Sequence, residues 1–208
     1  MRDHKSNTRR KVVFLLFLIL LYSQGLKGNI NIRKSEGLKK AFDFELVNQN
    51  SQSVRLNQFQ GKHVVLGFFY TRCGMPKMCP LTTKKFRQLQ ELGNSSGLED
   101  RMVLLLVTFD PEFDVPGILK KYANMYNAKT DNWHFLTGTV VRITEVCQEY
   151  GIVHEDQESG QIRHSMITYL IDTEGYIKKF YVGQNWTPEE LKKQIIANQK
   201  PNKSKGRK

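Results

Sequence analysis

Two cysteines separated by five residues stand in the stretch Phe68-Phe69-Tyr70-Thr71-Arg72-Cys73-Gly74-Met75-Pro76-Lys77-Met78-Cys79-Pro80, where an apolar, β-prone run gives way to a helical pattern. Such a junction suits chemistry at sulfur. A helix N-terminus stabilises negative charge, and the thiolate it favours is both nucleophile and metal ligand. The pair admits three readings: a redox dithiol, two soft donors to a metal ion, or a structural disulfide. Redox centres of the thioredoxin type place two residues between their cysteines, whereas five allow the sulfurs to converge without enforcing it. A disulfide here would close a short loop and restrict the unfolded chain only a little.

The metal reading calls for a third donor. His164 is the best candidate, because it stands just before a predicted strand over 166–171, and junctions of loop and strand tend to gather. Two thiolates with an imidazole select Cu(I), Cu(II) or zinc over hard cations, and such a set leaves a coordination position open for exchange. Met75 and Met78 carry thioethers that are soft donors to Cu(I), or else fill apolar gaps over the site. Arg72 and Lys77 would favour thiolates if they face the sulfurs, and are ordinary solvated side chains if they do not. Asp110 either faces the site or belongs to the turn Asp110-Pro111-Glu112-Phe113-Asp114, in which Asp114 reads as an N-cap. Cys147 falls at a core-like helical position and reads as a buried, inert thiol. His63, His134 and His154 show no metal partner in the sequence, and His4 lies in the N-terminal leader.

The elements that must position these residues follow from periodicity. Phe42, Phe44 and Leu46 alternate with polar residues before the turn Asn48-Gln49-Asn50-Ser51, and Val54 and Leu56 continue beyond it, which predicts an opening hairpin. Residues 63–70 and 102–109 are almost continuously apolar, as expected of strands covered on both faces. Leu81, Phe86, Leu89 and Leu92 follow Pro80 at helical spacing, and Gly93 to Gly97 ends that helix. A second helix carries Ile118, Leu119, Tyr122 and Met125. A short strand spans 133–136, a third helix 139–150, and a polar loop 154–163. Strands over 166–171 and 177–182 flank the turn Asp172-Thr173-Glu174-Gly175, and Thr187 caps a last helix through Ile196. The order β-β-β-α-β-α-β-α-β-β-α predicts an α/β fold, with a mixed central sheet flanked by helices and an N-terminal β-hairpin.

Charge and hydropathy bound the rest. The formal charge of +12 is concentrated at the ends, in Arg2, Lys5, Arg9, Arg10 and Lys11 and in the tail of Lys200, Lys203, Lys205, Arg207 and Lys208. Between them acids and bases nearly balance, which argues against a nucleic-acid-binding face. The apolar run from Val12 to Tyr22 is far short of the roughly 20 residues a spanning helix needs, and Ser23 and Gly25 suit a cleavage site. Residues 1–25 therefore read as a signal peptide or short membrane anchor, 26–40 as a linker, 41–199 as one domain and 200–208 as a basic tail. The domain is expected outside the cytoplasm, where disulfides are permitted. Three Asn-x-Ser/Thr matches, at Asn94, Asn185 and Asn202, are short enough to recur by chance.

These motifs together resemble the Sco/SenC copper chaperones, a family with a thioredoxin-like fold. The stretch Leu56-Asn57-Gln58-Phe59-Gln60-Gly61-Lys62 followed by Val64 to Cys73 resembles the family's opening, and Cys79-Pro80-Leu81-Thr82 the start of its first long helix. Thr108-Phe109-Asp110-Pro111-Glu112-Phe113-Asp114 is similar to its acidic motif at a strand end. Phe135-Leu136-Thr137-Gly138-Thr139, and His164-Ser165 through Tyr169-Leu170-Ile171-Asp172, match in order, so the resemblance covers about residues 41–197. It implies that Cys73, Cys79 and His164 bind copper, as Cu(I) or Cu(II). It also implies delivery to the copper A subunit of a respiratory oxidase or to another copper chaperone, from the periplasm or the outer face of the inner membrane, with membrane association open. One departure stands out: the family usually places three residues between its cysteines.

Two alternatives use the same sulfurs. A thiol-disulfide oxidoreductase would keep partner cysteines reduced, but thioredoxin chemistry uses a proline just before a late strand, and no proline lies between Pro116 and Pro188. A peroxidase of the peroxiredoxin type needs an activated cysteine with nearby threonine and arginine, for which Thr71 and Arg72 are poorly spaced. A metallochaperone that is not an enzyme is the expected class.

Overall fold

The computed structural model describes residues 39–156 and 161–197. The expected leader, nearly all of the linker and the basic tail lie outside them. A seven-stranded mixed sheet runs in the order β2-β1-β5-β4-β3-β8-β9, and β6 and β7 form a separate two-stranded sheet. At its centre β3 (His63–Phe69) and β4 (Met102–Thr108) pair in parallel, His63 with Met102 through Phe69 with Thr108. Every residue of both strands is buried. That explains their unbroken apolar runs, since a strand covered on both faces has no polar side to show.

On one flank β5 (Trp133–Thr137) adds parallel to β4, and the hairpin of β1 (Glu45–Asn48) and β2 (Ser53–Arg55) closes the edge antiparallel to β5. Ser51 takes φ 59° in the β1–β2 turn, and the Asn48 side chain caps that turn by accepting from the backbone amides of Asn50 and Gln52. A single 3-10 turn, Leu56–Phe59, leads into β3. On the other flank β8 (Ile167–Ile171) and β9 (Ile177–Val182) add antiparallel.

Among the described residues four helices cover the sheet: α1 (Cys79–Asn94), α2 (Pro116–Met125), α3 (Val140–Glu149) and α4 (Pro188–Ala197). Alternation along β3 separates them by face. Phe69 meets Tyr122 of α2 at 5.3 Å, and a Cβ on Gly67 would lie 2.9 Å from Phe86 Cζ of α1. Phe68, pointing the other way, meets Tyr150 at the end of α3 at 5.8 Å. Glycine at 67 thus lets α1 lie close against the centre of the sheet, and α4 packs on α1. The mixed sheet flanked by helices and opened by a hairpin agrees with the expected fold.

Two expectations require correction. Residues 154–163 include a hairpin, β6 (His154–Asp156) and β7 (Ile162–His164), with His154 opposite His164. Its strands are short and mostly polar, with Ile162 buried and an Arg163–Glu155 ion pair at 2.7 Å on the exposed side, so no apolar alternation announces them. Asp114 is not the N-cap of α2. Val115 holds that position without a side-chain cap, while the Asp114 carboxylate turns inward. Thr139 and Thr187 do cap their helices, accepting from the amides of Arg142 and Glu190.

Candidate metal centre

The site forms at the C-terminal ends of β3 and β4, where both strands leave the sheet. The β3 ladder fixes Phe69, and the chain passes through Tyr70, Thr71 and Arg72 to Cys73. Met78 donates its amide to the Met75 carbonyl at 3.0 Å, making a tight turn that brings the chain back to Cys79. Cys79 is the first residue of α1 and Pro80 the second, where a missing N–H costs nothing.

His164 arrives on the end of β7. The sulfurs of Cys73 and Cys79 and a ring nitrogen of His164 all lie within 4.8 Å of one another. Cys79 Sγ and His164 Nε2 are 3.5 Å apart. The three residues are 8%, 0% and 9% exposed, so the donors are shielded, with Cys79 innermost. The other ring nitrogen, Nδ1, lies 3.1 Å from the Ser165 carbonyl, which can only accept. That contact holds a proton on Nδ1 and turns Nε2 toward the sulfurs.

The two thiols are not equivalent. Cys73 ionises well below the usual thiol range, chiefly because the Cys79 thiol donates to its thiolate; His164 and the backbone of Met75 and Cys79 add to this, and burial opposes it. Cys79 shifts the other way, because it shares that hydrogen bond and is sealed from water. The resting pair is therefore one thiolate and one thiol. Cys73, Cys79 and Cys147 are all free thiols.

Asp114 buttresses the approach to Cys73. It is fully buried and accepts from the Thr71 amide at 3.1 Å, from the Thr71 hydroxyl, and from the Thr108 hydroxyl at 2.5 Å. Burial raises its carboxyl, against those three donors. Asp110 faces Arg72 rather than the sulfurs, accepting from Nε at 3.0 Å and Nη2 at 2.7 Å. The Arg72 guanidinium also sits 4.3 Å from the centroid of the Phe113 ring. Arg72 thus braces the loop from outside. Lys77 and Met75 are exposed, whereas Met78 packs against the core.

Cys147 lies apart in α3, fully buried, its thiol pushed up to about 12 by burial. His63 and His134 sit toward the start of the central strands, His134 stacked on Phe59. His154 is outside the donor cluster, yet its ring stacks on Phe109, which in turn lies 4.5 Å from His164. Sequence reasoning missed Tyr70, Gln161 and Phe109 as neighbours of the site. Tyr70 and Phe109 stand at the ends of apolar runs and read as core, and a glutamine in a polar stretch carries no signal.

Several known proteins share this fold and span. The SCO2-like protein of Rickettsia typhi is 31% identical over 181 residues, covering 82% of this chain and 85% of that one. The solved structure of BsSco, described as having a disulfide switch and as a member of the Sco family of cytochrome c oxidase assembly proteins, superposes with a TM-score of 0.66. It is 28% identical and covers 79% of this chain and 94% of that one. Arabidopsis thaliana ScoI, solved with copper bound, is 24% identical and shares the fold at a TM-score of 0.65, over 76% of this chain and 97% of that one. The SCO1/SenC family model matches residues 33–199, a span that holds both cysteines, the histidine and every strand of the two sheets, and the chain belongs to the SCO1/SenC family.

Proposed function

We propose that this chain is an extracytoplasmic copper chaperone, which holds one copper ion on Cys73, Cys79 and His164 and passes it to the copper A centre of a respiratory cytochrome oxidase. The convergence of two sulfurs and an imidazole nitrogen within 4.8 Å carries this reading. Soft thiolates with one imidazole suit copper, and three protein donors leave a position for an incoming ligand. Membership of a family that includes a cytochrome c oxidase assembly protein supports the recipient. The basic and apolar leader over residues 1–25 supports the compartment.

The residues divide the work. Cys73, already ionised and the more exposed of the two thiols, meets the ion first. Cys79 gives up its proton on binding, so loading releases a proton and strengthens as pH rises. His164, its ring oriented by the Ser165 carbonyl, completes the set through Nε2. A recipient's thiolate enters from the Cys73 and Met75 side, and the buried Cys79 leaves last.

Anaerobic Cu(I) titration of the reduced protein tests the proposal, beside Cys73→Ser, Cys79→Ser and His164→Ala, followed by transfer to a purified copper A domain. One tight copper per chain, lost in either serine variant and weakened in the alanine variant, is expected. Absence of tight binding in the unaltered protein refutes it.

A second reading is favoured by the inequality of the thiols. A thiolate at Cys73 backed by a buried thiol at Cys79 is the arrangement of a dithiol reductant, and BsSco is described with a disulfide switch. It requires a low reduction potential and turnover on a disulfide substrate; lack of both excludes it.

A further inference from the structure

The proposed ligands sit on two segments that meet beyond the end of the β3–β8 ladder, which closes at Gly67 and Thr168. Cys73 and Cys79 bracket a loop off the seven-stranded sheet, while His164 ends a strand of the separate β6–β7 sheet. Past that ladder the hairpin and the cysteine loop share no strand pairing among the described residues, so side-chain contacts help to set the height of His164 over the sulfurs.

Three hydrogen bonds bridge the two segments. Tyr70 Oη donates to Gln161 Oε1 at 3.1 Å and accepts from the Ile162 amide at 3.2 Å. The same Gln161 oxygen accepts from the Gly74 amide at 3.3 Å, so both of its lone pairs are used. Tyr70 is a firm anchor: it directly follows β3, is fully buried, and packs against Phe109 at 5.2 Å and edge-on to His164 at 5.8 Å. Gln161 and Ile162 precede His164 by three and two residues, at the start of its strand. The far end of the cysteine loop is held differently, by Gln184 Nε2 donating to the Met78 carbonyl at 3.3 Å and to Thr82 Oγ1 at 2.7 Å. Gln184 fixes the loop without bonding to the hairpin in these contacts.

We propose that Tyr70 and Gln161 are positioning residues for the metal site, a latch that ties the hairpin to the cysteine loop and thereby sets the reach of His164. The proposal rests on the copper reading. It also explains how a five-residue spacing can keep a compact site: external side chains supply the constraint that the longer loop lacks.

Tyr70→Phe keeps the ring and removes both bonds to the hairpin. Its Cu(I) affinity is measured by competition with a chromophoric chelator, in the unaltered protein and in the His164→Ala background. Groups that orient metal ligands typically matter by about 10–100-fold in affinity, so the loss is expected to be about 10-fold or more with His164 present. With His164 absent it should shrink to under about 2-fold, because residues acting through one partner are not additive. Gln184→Ala, acting on the loop alone, should cost the same in both backgrounds. Unchanged affinity in Tyr70→Phe overturns the proposal. So does an equal loss in both backgrounds, which would mean that the hydroxyl acts on Cys73.

A metal-free arm separates this from the copper reading. Amide hydrogen exchange in β7 should quicken in Tyr70→Phe while β4 stays protected; unchanged β7 exchange overturns the latch whether or not copper binds. Absence of copper binding in the unaltered protein refutes the chaperone reading alone. If β4 protection is lost in Tyr70→Phe, Gln161→Ala carries the same comparisons.

Discussion

Replacing Asp114 with alanine tests how the approach to Cys73 is held. The carboxylate is fully buried and receives three donors, the Thr71 amide and the hydroxyls of Thr71 and Thr108. Hydrogen bonds to a charged acceptor contribute about 1.5–3 kcal/mol each, and burial of the charge offsets part of that, so about 1 kcal/mol per bond and about 3 kcal/mol in all is the working figure. The assay is urea unfolding of the metal-free protein at pH 7. With an m-value of about 2 kcal/mol/M, the midpoint should fall by about 1.5 M. A fall of less than about 0.3 M would mean that the cluster contributes little net stability, and the reasoning would fail.

The raised carboxyl gives the same variant a pH signature. Between the unfolded value of about 3.9 and the higher folded value, the folded protein holds a proton that the unfolded chain lacks. Stability therefore declines as pH rises through that window, and Asp114→Ala removes the slope. The gap between the two proteins should narrow with rising pH across it; a widening gap would reverse the assigned direction.

Two further outcomes follow from the same environments. His63 and His134 are held below the ordinary imidazole range chiefly by burial, so the unfolded chain takes up protons first as pH falls. Their contribution to stability is complete above about pH 6.5 and is lost as pH falls below it; urea midpoints at pH 7.5 and 5.5 measure the loss, and His63→Gln with His134→Gln should reduce it. Iodoacetamide at mildly acidic pH should modify Cys73 first and leave Cys147 untouched until the protein is unfolded, as read by mass spectrometry, because Cys73 favours thiolate while Cys147 is sealed and pushed up to about 12. Early labelling of Cys147 would contradict its placement in the core.

The central strands were legible because burial on both faces of β3 and β4 leaves only one kind of residue to write there. The β1–β2 turn was equally plain, since Asn48 and the positive φ of Ser51 are local requirements. The β6–β7 hairpin was not, because two three-residue strands with one buried apolar side chain carry no period. Asp114 shows another limit: an aspartate before a helical pattern serves equally as a cap or as an inward acceptor, and only the approach of Thr71 and Thr108 decides between them. The two thiols were found by residue type. His164 needed its position before a strand and the family resemblance, and Gln161, whose function depends on Tyr70 and Gly74 being near, needed the folded chain.

The separation of the donors along the chain has a consequence for timing. His164 lies 85 residues beyond Cys79, and β8, which follows it, pairs with β3. A polypeptide made or exported from its N-terminus presents both thiols long before the third donor exists. On the proposed ligand set, an immature chain would offer a metal only a loose dithiol, and full retention of the ion would mark a finished domain. By the same linkage, an ion held on that set would stabilise the late-made β7–β8 segment against opening. Chains caught empty would be the ones most readily recognised as unfinished.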